Sequence, residues 1–120
     1  EQLIHKTASG NIVRSKSEAI IDMFLHTNGI PFRYECPLRL SQTTIHPEFT
    51  IRHPRTGEQF YWEHFGMIDD PLYSKQFYSR IKLYISNGIY PSINLITTYE
   101  TKTHPLTTEM VERIIEQYFL

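Results

Sequence analysis

The stretch from Ile45 to Phe65 constrains the fold more than any other part of this chain. Ile45, Pro47, Phe49 and Ile51 alternate with His46, Glu48, Thr50 and Arg52, the period of a strand with one buried face. Pro54–Arg55–Thr56–Gly57 then reads as a turn with Gly at its last position. Gln59 to Phe65, rich in aromatics through Phe60–Tyr61–Trp62, returns as the partner strand. If the turn closes on those four residues, Glu48 lies directly opposite Glu63 and both side chains leave the same face. Like charges in that position destabilise a strand pair by up to ~1 kcal/mol. The pair therefore calls for a proton or a cation, and a hard divalent ion such as Mg²⁺ takes oxygen ligands of this kind. A register shifted by one bulged residue would instead leave two solvated glutamates on an open face. Spacing alone leaves both readings open.

Capping chemistry brackets three helices around this hairpin. Ser15–Lys16–Ser17–Glu18 opens one that runs through Ile21 and Leu25 to Asn28–Gly29, where Gly supplies the left-handed stop. Asp70–Pro71 starts a second, with Asp as N-cap and Pro at the first helical position, and Asn87–Gly88 ends it. Thr107 to about Phe119 forms the last, with Val111, Ile114, Ile115 and Tyr118 on one stripe. Phe32 to Leu40 is a strand candidate running into Pro37, and Ile93 to Tyr99 is a fourth strand. The order is α-β-β-β-α-β-α, with residues 1–14 as a weakly patterned arm or extra strand. No repeat or linker interrupts it, so residues 1–120 read as a single α/β domain.

Composition narrows the partners. Hydrophobic residues make up 40% and charged residues 21%, which fits a globular chain rather than a disordered one. No apolar run approaches the ~18 residues of a membrane span, and the start carries no signal-peptide pattern. Cys36 is alone, so no internal disulfide forms and a cytoplasmic location is expected. The chain opens without Met and stops on Tyr118–Phe119–Leu120, as a fragment of a longer protein would. A net charge of −1 argues against a broadly basic coat. Nucleic-acid contacts would have to come from local groups such as Arg14 with Lys16, Arg52 with Arg55, or Lys75, Arg80 and Lys82.

Glu18 has two readings. Ser15-x-x-Glu18 fits a capping box, in which the carboxylate bonds back to the N-cap amide. It also shares a helix face with Ile21, Asp22 and Leu25, which places a carboxylate at the end of a stripe that packs on the sheet. The histidines do not suggest zinc: none is paired at i, i+4, and His46 and His64 fall on opposite faces. Tyr34, Tyr61 and Trp62 are suited to stacking on bases or, as strand aromatics more often are, to core packing.

Glu18 on the first helix, His46–Pro47–Glu48–Phe49 in the second strand and Tyr61–Trp62–Glu63–His64–Phe65–Gly66 in the third resemble the PD-(D/E)XK nuclease superfamily. Val13–Arg14–Ser15–Lys16–Ser17–Glu18 and Trp62–Glu63–His64–Phe65–Gly66–Met67 are similar to segments of bacterial and phage-associated nuclease-like domains and of helicase-associated nuclease regions. The resemblance covers roughly residues 12 to 100. It implies a restriction-endonuclease-like αβββαβ core, a mixed four-stranded sheet flanked by helices, and metal-dependent hydrolysis of phosphodiester bonds in DNA or RNA. By motif position Glu48 and Glu63 would hold Mg²⁺ or Mn²⁺, with Glu18 an outer ligand or water-positioning group.

Two departures stand against the pattern. Glu48 replaces the usual Asp, and Phe65 occupies the position of the expected lysine. Superfamily members can draw that cation from the following helix. On a helical wheel the apolar stripe of that helix is Tyr73, Phe77, Ile81, Tyr84 and Ile85, and Arg80 sits at its flank while Lys75 and Lys82 point away. Arg80 is therefore the replacement candidate, against a snorkelling surface arginine. Arginine binds phosphate well but transfers protons poorly. The same lineage thus admits a second function, a nuclease-like domain without hydrolytic activity that serves as a nucleic-acid-binding or interaction module.

Overall fold

A computed structural model describes residues 4–120. Its main sheet has four strands in the spatial order β3 (Phe32–Tyr34), β6 (Phe49–Arg52), β7 (Gln59–Phe65) and β8 (Leu95–Tyr99). The first three are antiparallel to their neighbours, and β8 runs parallel to β7. A parallel pair needs a crossover, which α2 (Pro71–Ser86) supplies. With α1 (Lys16–Thr27) ahead of β3, the main-sheet elements follow the chain as α-β-β-β-α-β, and α3 (Thr108–Phe119) closes it.

The helix boundaries follow from local chemistry. The Ser15 hydroxyl accepts the Glu18 amide at 3.1 Å, and Asp70 accepts the amides of Leu72 and Tyr73. Thr107 caps α3 through the amide of Met110. Gly29 and Gly88 take φ 67° and 79° where α1 and α2 stop, a conformation that side chains with a Cβ resist.

Alternation on β7 divides the core in two. Phe60 and Trp62 face α1 and α3, packing with Phe49, Ile51 and Ile96 against Ile21, Leu25, Val111, Ile115 and Phe119. Tyr61 faces the other way, with Leu95, onto Tyr84 of α2 and onto Leu40 and Ile45. Trp62 is fully buried, its Nε1 donating to Thr98 Oγ1 at 3.1 Å. Trp62 and Tyr61 are thus core residues, not stacking platforms.

The continuous strand expected from Ile45 to His53 is two strands. β5 (Thr43–Ile45) pairs with β4 (Leu38–Leu40) in a separate hairpin, and β6 begins only at Phe49. Pro47 has no amide for a ladder, so the chain changes partner around His46–Pro47 while keeping the inside–outside alternation. The Phe32 to Leu40 candidate divides in the same way, into β3 and β4. The residues read as an arm or an extra strand hold a short hairpin of β1 (His5–Lys6) and β2 (Ile12–Val13). Ser9 and Asn11 from its loop donate to the buried Asp22 carboxylate and pin the hairpin to α1. The fourth strand starts at Leu95, and Ile93 is exposed. Ile85 is also exposed, whereas Leu83 packs on the second core cluster, so the buried stripe of α2 is rotated toward the β4–β5 hairpin. No helix among the described residues is long and apolar enough to cross a membrane.

Candidate metal centre

The register of the central hairpin decides where the carboxylates lie. Phe49 pairs with Trp62, Thr50 with Tyr61, Ile51 with Phe60 and Arg52 with Gln59, with no bulge. Glu48, one residue before β6, continues that register opposite Glu63, and its carbonyl accepts the Glu35 amide at 3.0 Å. Its carboxylate accepts the His64 amide at 3.0 Å through Oε1. Glu63 projects toward α2, where Arg80 Nη1 donates to Oε2 at 3.1 Å and the Tyr84 hydroxyl donates to the same oxygen at 2.5 Å.

Glu18 approaches from the first turn of α1. Its Oε1 accepts the Arg14 amide and the Tyr34 hydroxyl, each at 2.9 Å. The reciprocal bond of a capping box would go to the Ser15 amide; here the carboxylate reaches past it. The Tyr34 ring is fixed against Phe49, with centroids 5.5 Å apart. Glu18 and Glu63 are buried, and the charges of both act on the Glu48 carboxyl. The structure thus gathers all three carboxyl groups and brings Arg80 against one of them.

Electrostatics follow from that crowding. Burial, then the charge of Glu18, then that of Glu63 push the Glu48 carboxyl well above its ordinary value, and the hydrogen bond with Glu18 adds to this; only the His64 amide opposes it. Burial also raises Glu63, against the lowering effects of Arg80, Tyr84 and the Glu48 amide. Tyr84 is raised by burial and by the Glu63 charge, so its hydroxyl stays protonated and donating. Among the described residues Arg80 is the one cation in an ion pair with the three carboxylates, Arg14 being paired with Glu35. One guanidinium does not neutralise three carboxylates. A raised Glu48 carboxyl favours a proton, which would remove part of the excess, and a divalent cation would remove more.

The donor set suits a hard ion. The candidate ligands are carboxylate oxygens, and the side-chain donors Arg80 and Tyr84 both take Oε2 of Glu63. Among the described residues no three His, Cys, Asp or Glu side chains form a ready-made ligand group. An ion here would therefore rest on two carboxylates and complete its shell with water and phosphate oxygens, the manner in which Mg²⁺ is usually held.

Removal of divalent ions should leave a pH signature. The folded state holds protons on Glu48 and Glu63 more tightly than the unfolded chain does. Their contribution to stability is complete below the unfolded carboxyl pKa of about 4.3 and is lost as pH rises through the raised folded values. Glu100 has the opposite sign. Burial acts to raise it, but hydrogen bonds from Ser17, His64 and the Leu106 amide outweigh that and hold it low, so its contribution is lost only as pH falls through its lowered value. Melting in EDTA should therefore fall as pH rises from about 5, and Glu48→Gln should flatten most of that fall. An equal slope in both proteins would remove Glu48 as its source.

Several site residues had no signal in the sequence. Tyr34 and Tyr84 hold carboxylates through their hydroxyls. Tyr73, which accepts the Gly66 amide at 3.1 Å, lies close enough to the cluster for the charges of Glu48, Glu63 and Glu18 to raise it after burial does. Phe65 is enclosed by rings, 4.5 Å from Phe77 and 5.9 Å from Tyr99, so an apolar cluster stands where a lysine was expected. On the opposite face, His64 joins Thr98 at 2.8 Å and Glu100 at 2.7 Å, and Ser17 donates to Glu100 at 2.6 Å. That network ties β8 to α1 behind the carboxylates. Compared with known proteins, the chain matches no family model, no curated protein and no solved structure.

Proposed function

We propose that this chain is a divalent-metal-dependent hydrolase of nucleic-acid phosphodiester bonds, with a restriction-endonuclease-like core and DNA as the principal substrate. The observation that carries the reading is the meeting of Glu48 and Glu63 at one end of the β6–β7 pair, where the charges of Glu18 and Glu63 both act on Glu48 and Arg80 pairs with Glu63. The α-β-β-β-α-β order of the main sheet supports it.

In this reading Glu48 and Glu63 hold Mg²⁺ or Mn²⁺. The ion, when bound, lowers the pKa of a coordinated water and offsets charge building on the phosphate oxygens. Glu18, oriented by Arg14 and Tyr34, accepts a hydrogen bond from the attacking water and aligns it. Arg80 takes the place of the missing lysine as the cation of the site; its planar fork suits phosphate oxygens and leaves proton transfer to other groups. Tyr84 holds the Glu63 carboxylate in place through Oε2.

The test is incubation with single- and double-stranded DNA and RNA in Mg²⁺, in Mn²⁺ and in EDTA. Hydrolysis that needs the metal is expected. A second reading, a nuclease-like module that binds without cutting, is favoured by the ring cluster around Phe65 and by the engagement of Arg80 with Glu63. Salt-sensitive binding with no turnover in either metal would select it.

A further inference from the structure

On the sheet face that carries Glu48 and Glu63, the strands continue into a groove of about 410 Å³ at the far end of β6. Its lining includes Arg33, Thr50, Arg52, Gln59 and Tyr61, with Pro37 in the wall that leads to the β4–β5 hairpin. Register explains the grouping: Arg33 pairs with Thr50, Thr50 with Tyr61 and Arg52 with Gln59, so these side chains leave one face together. Glu48 and Arg52 are four residues apart on that face, about 13 Å at ~3.3 Å per residue.

The charge of the groove is unlike that of the chain as a whole. The protein carries 13 acidic residues against 12 basic ones, yet no acidic side chain lines the groove. Neither Arg33 nor Arg52 forms an ion pair with any described residue. Both are exposed. Gln59 Nε2 donates to the Tyr61 hydroxyl at 2.5 Å, which leaves that hydroxyl's own hydrogen for another acceptor. Two unpaired guanidinium groups, a hydroxyl and an amide around one concavity match phosphate oxygens.

We infer that this groove binds the phosphate backbone of a single nucleic-acid strand, with Arg33 and Arg52 as its phosphate contacts. This rests on the proposed phosphodiester chemistry and extends it to the form of the substrate. A volume of about 410 Å³ is in the range of a pocket for one small ligand. That is room for about one nucleotide of an unpaired strand and too little for the paired nucleotides of a duplex. The groove and the carboxylates share a face, so a strand held along β6 would extend toward Glu48.

The experiment is fluorescence anisotropy with a labelled single-stranded oligothymidylate in EDTA, across a salt series, so that binding is read without hydrolysis. Wild type should bind with an affinity that falls with salt. Arg33→Gln/Arg52→Gln should bind about 10-fold more weakly, with the magnitude of the logarithmic salt slope reduced by about 1.4, the effect of two phosphate contacts on a single strand. Lys102→Gln/Arg113→Gln, an equal change in net charge at exposed positions away from the groove, should keep the wild-type slope. Wild type that binds no oligonucleotide at low salt, or a groove variant with the wild-type slope, would overturn the inference. So would equal losses in the two double variants. Groove-dependent binding without hydrolysis in Mg²⁺ would count against the hydrolase alone, and hydrolysis with a normal salt slope in the groove variant would count against the groove alone.

Discussion

Glu63→Gln should lower metal-dependent hydrolysis by about 10³-fold, the several kcal/mol of transition-state stabilisation that a bound metal supplies, while the protein stays folded. Gln keeps an acceptor for the buried Tyr84 hydroxyl and loses the charge that would hold the ion. Arg80 loses its ionic partner, but about a third of its side chain is exposed (34%), and water can take over its hydrogen bonds. Removing the charge also relieves Glu18 and Glu48 of a like-charged neighbour. Glu63→Ala is the less informative change, because it strands the Tyr84 hydroxyl in the core at a cost of about 1–3 kcal/mol. Initial rates in Mg²⁺ together with melting curves check the expectation. A folded Glu63→Gln protein that hydrolyses at the wild-type rate would remove Glu63 from the chemistry.

The parts of the structure legible in the sequence are those fixed by short-range chemistry. Ser15, Asp70 and Thr107 mark helix starts because their side chains satisfy amides within the next turn, and the structure uses each in that way. Gly57, at φ 78°, lets the chain turn between β6 and β7 and so sets the register that opposes Glu48 to Glu63. The position of Arg80 on the flank of α2 was also readable, because a helix facing the sheet through Tyr84 turns its neighbour four residues back toward the same surface.

What remained hidden depends on contacts distant in sequence. Nothing local distinguishes a strand that continues through His46–Pro47 from one that changes partner there. The β4–β5 hairpin turns at Ser41–Gln42 with neither Gly nor Asn, Ser41 itself taking φ 57°. The wheel for α2 takes no account of what packs beside the sheet. Because that hairpin intervenes, Leu83 is covered and Ile85 is left exposed. The tyrosines escaped notice for a related reason: their rings account for burial, and only the fold shows that the hydroxyls of Tyr34 and Tyr84 end on carboxylates. Glu100 meets His64 and Ser17 across three separate elements, a convergence with no sequence period behind it.

Mn²⁺ binding read by thermal melting bears most directly on Glu48 and Glu63 as a cation site. An ion that binds the folded chain alone stabilises it by about 2.7 kcal/mol at a hundredfold excess over its dissociation constant. For a chain of 120 residues that raises the melting temperature by about 10 °C. Metal and proton compete for the raised Glu48 carboxyl, so the shift should grow with pH. Glu48→Gln keeps the shape of the side chain without its charge, and its melting temperature should move by no more than about 2 °C under the same titration. A rise of that size in wild type that disappears in Glu48→Gln is the expected result. No rise in wild type, or the same rise in both proteins, would contradict a cation held by Glu48 and Glu63.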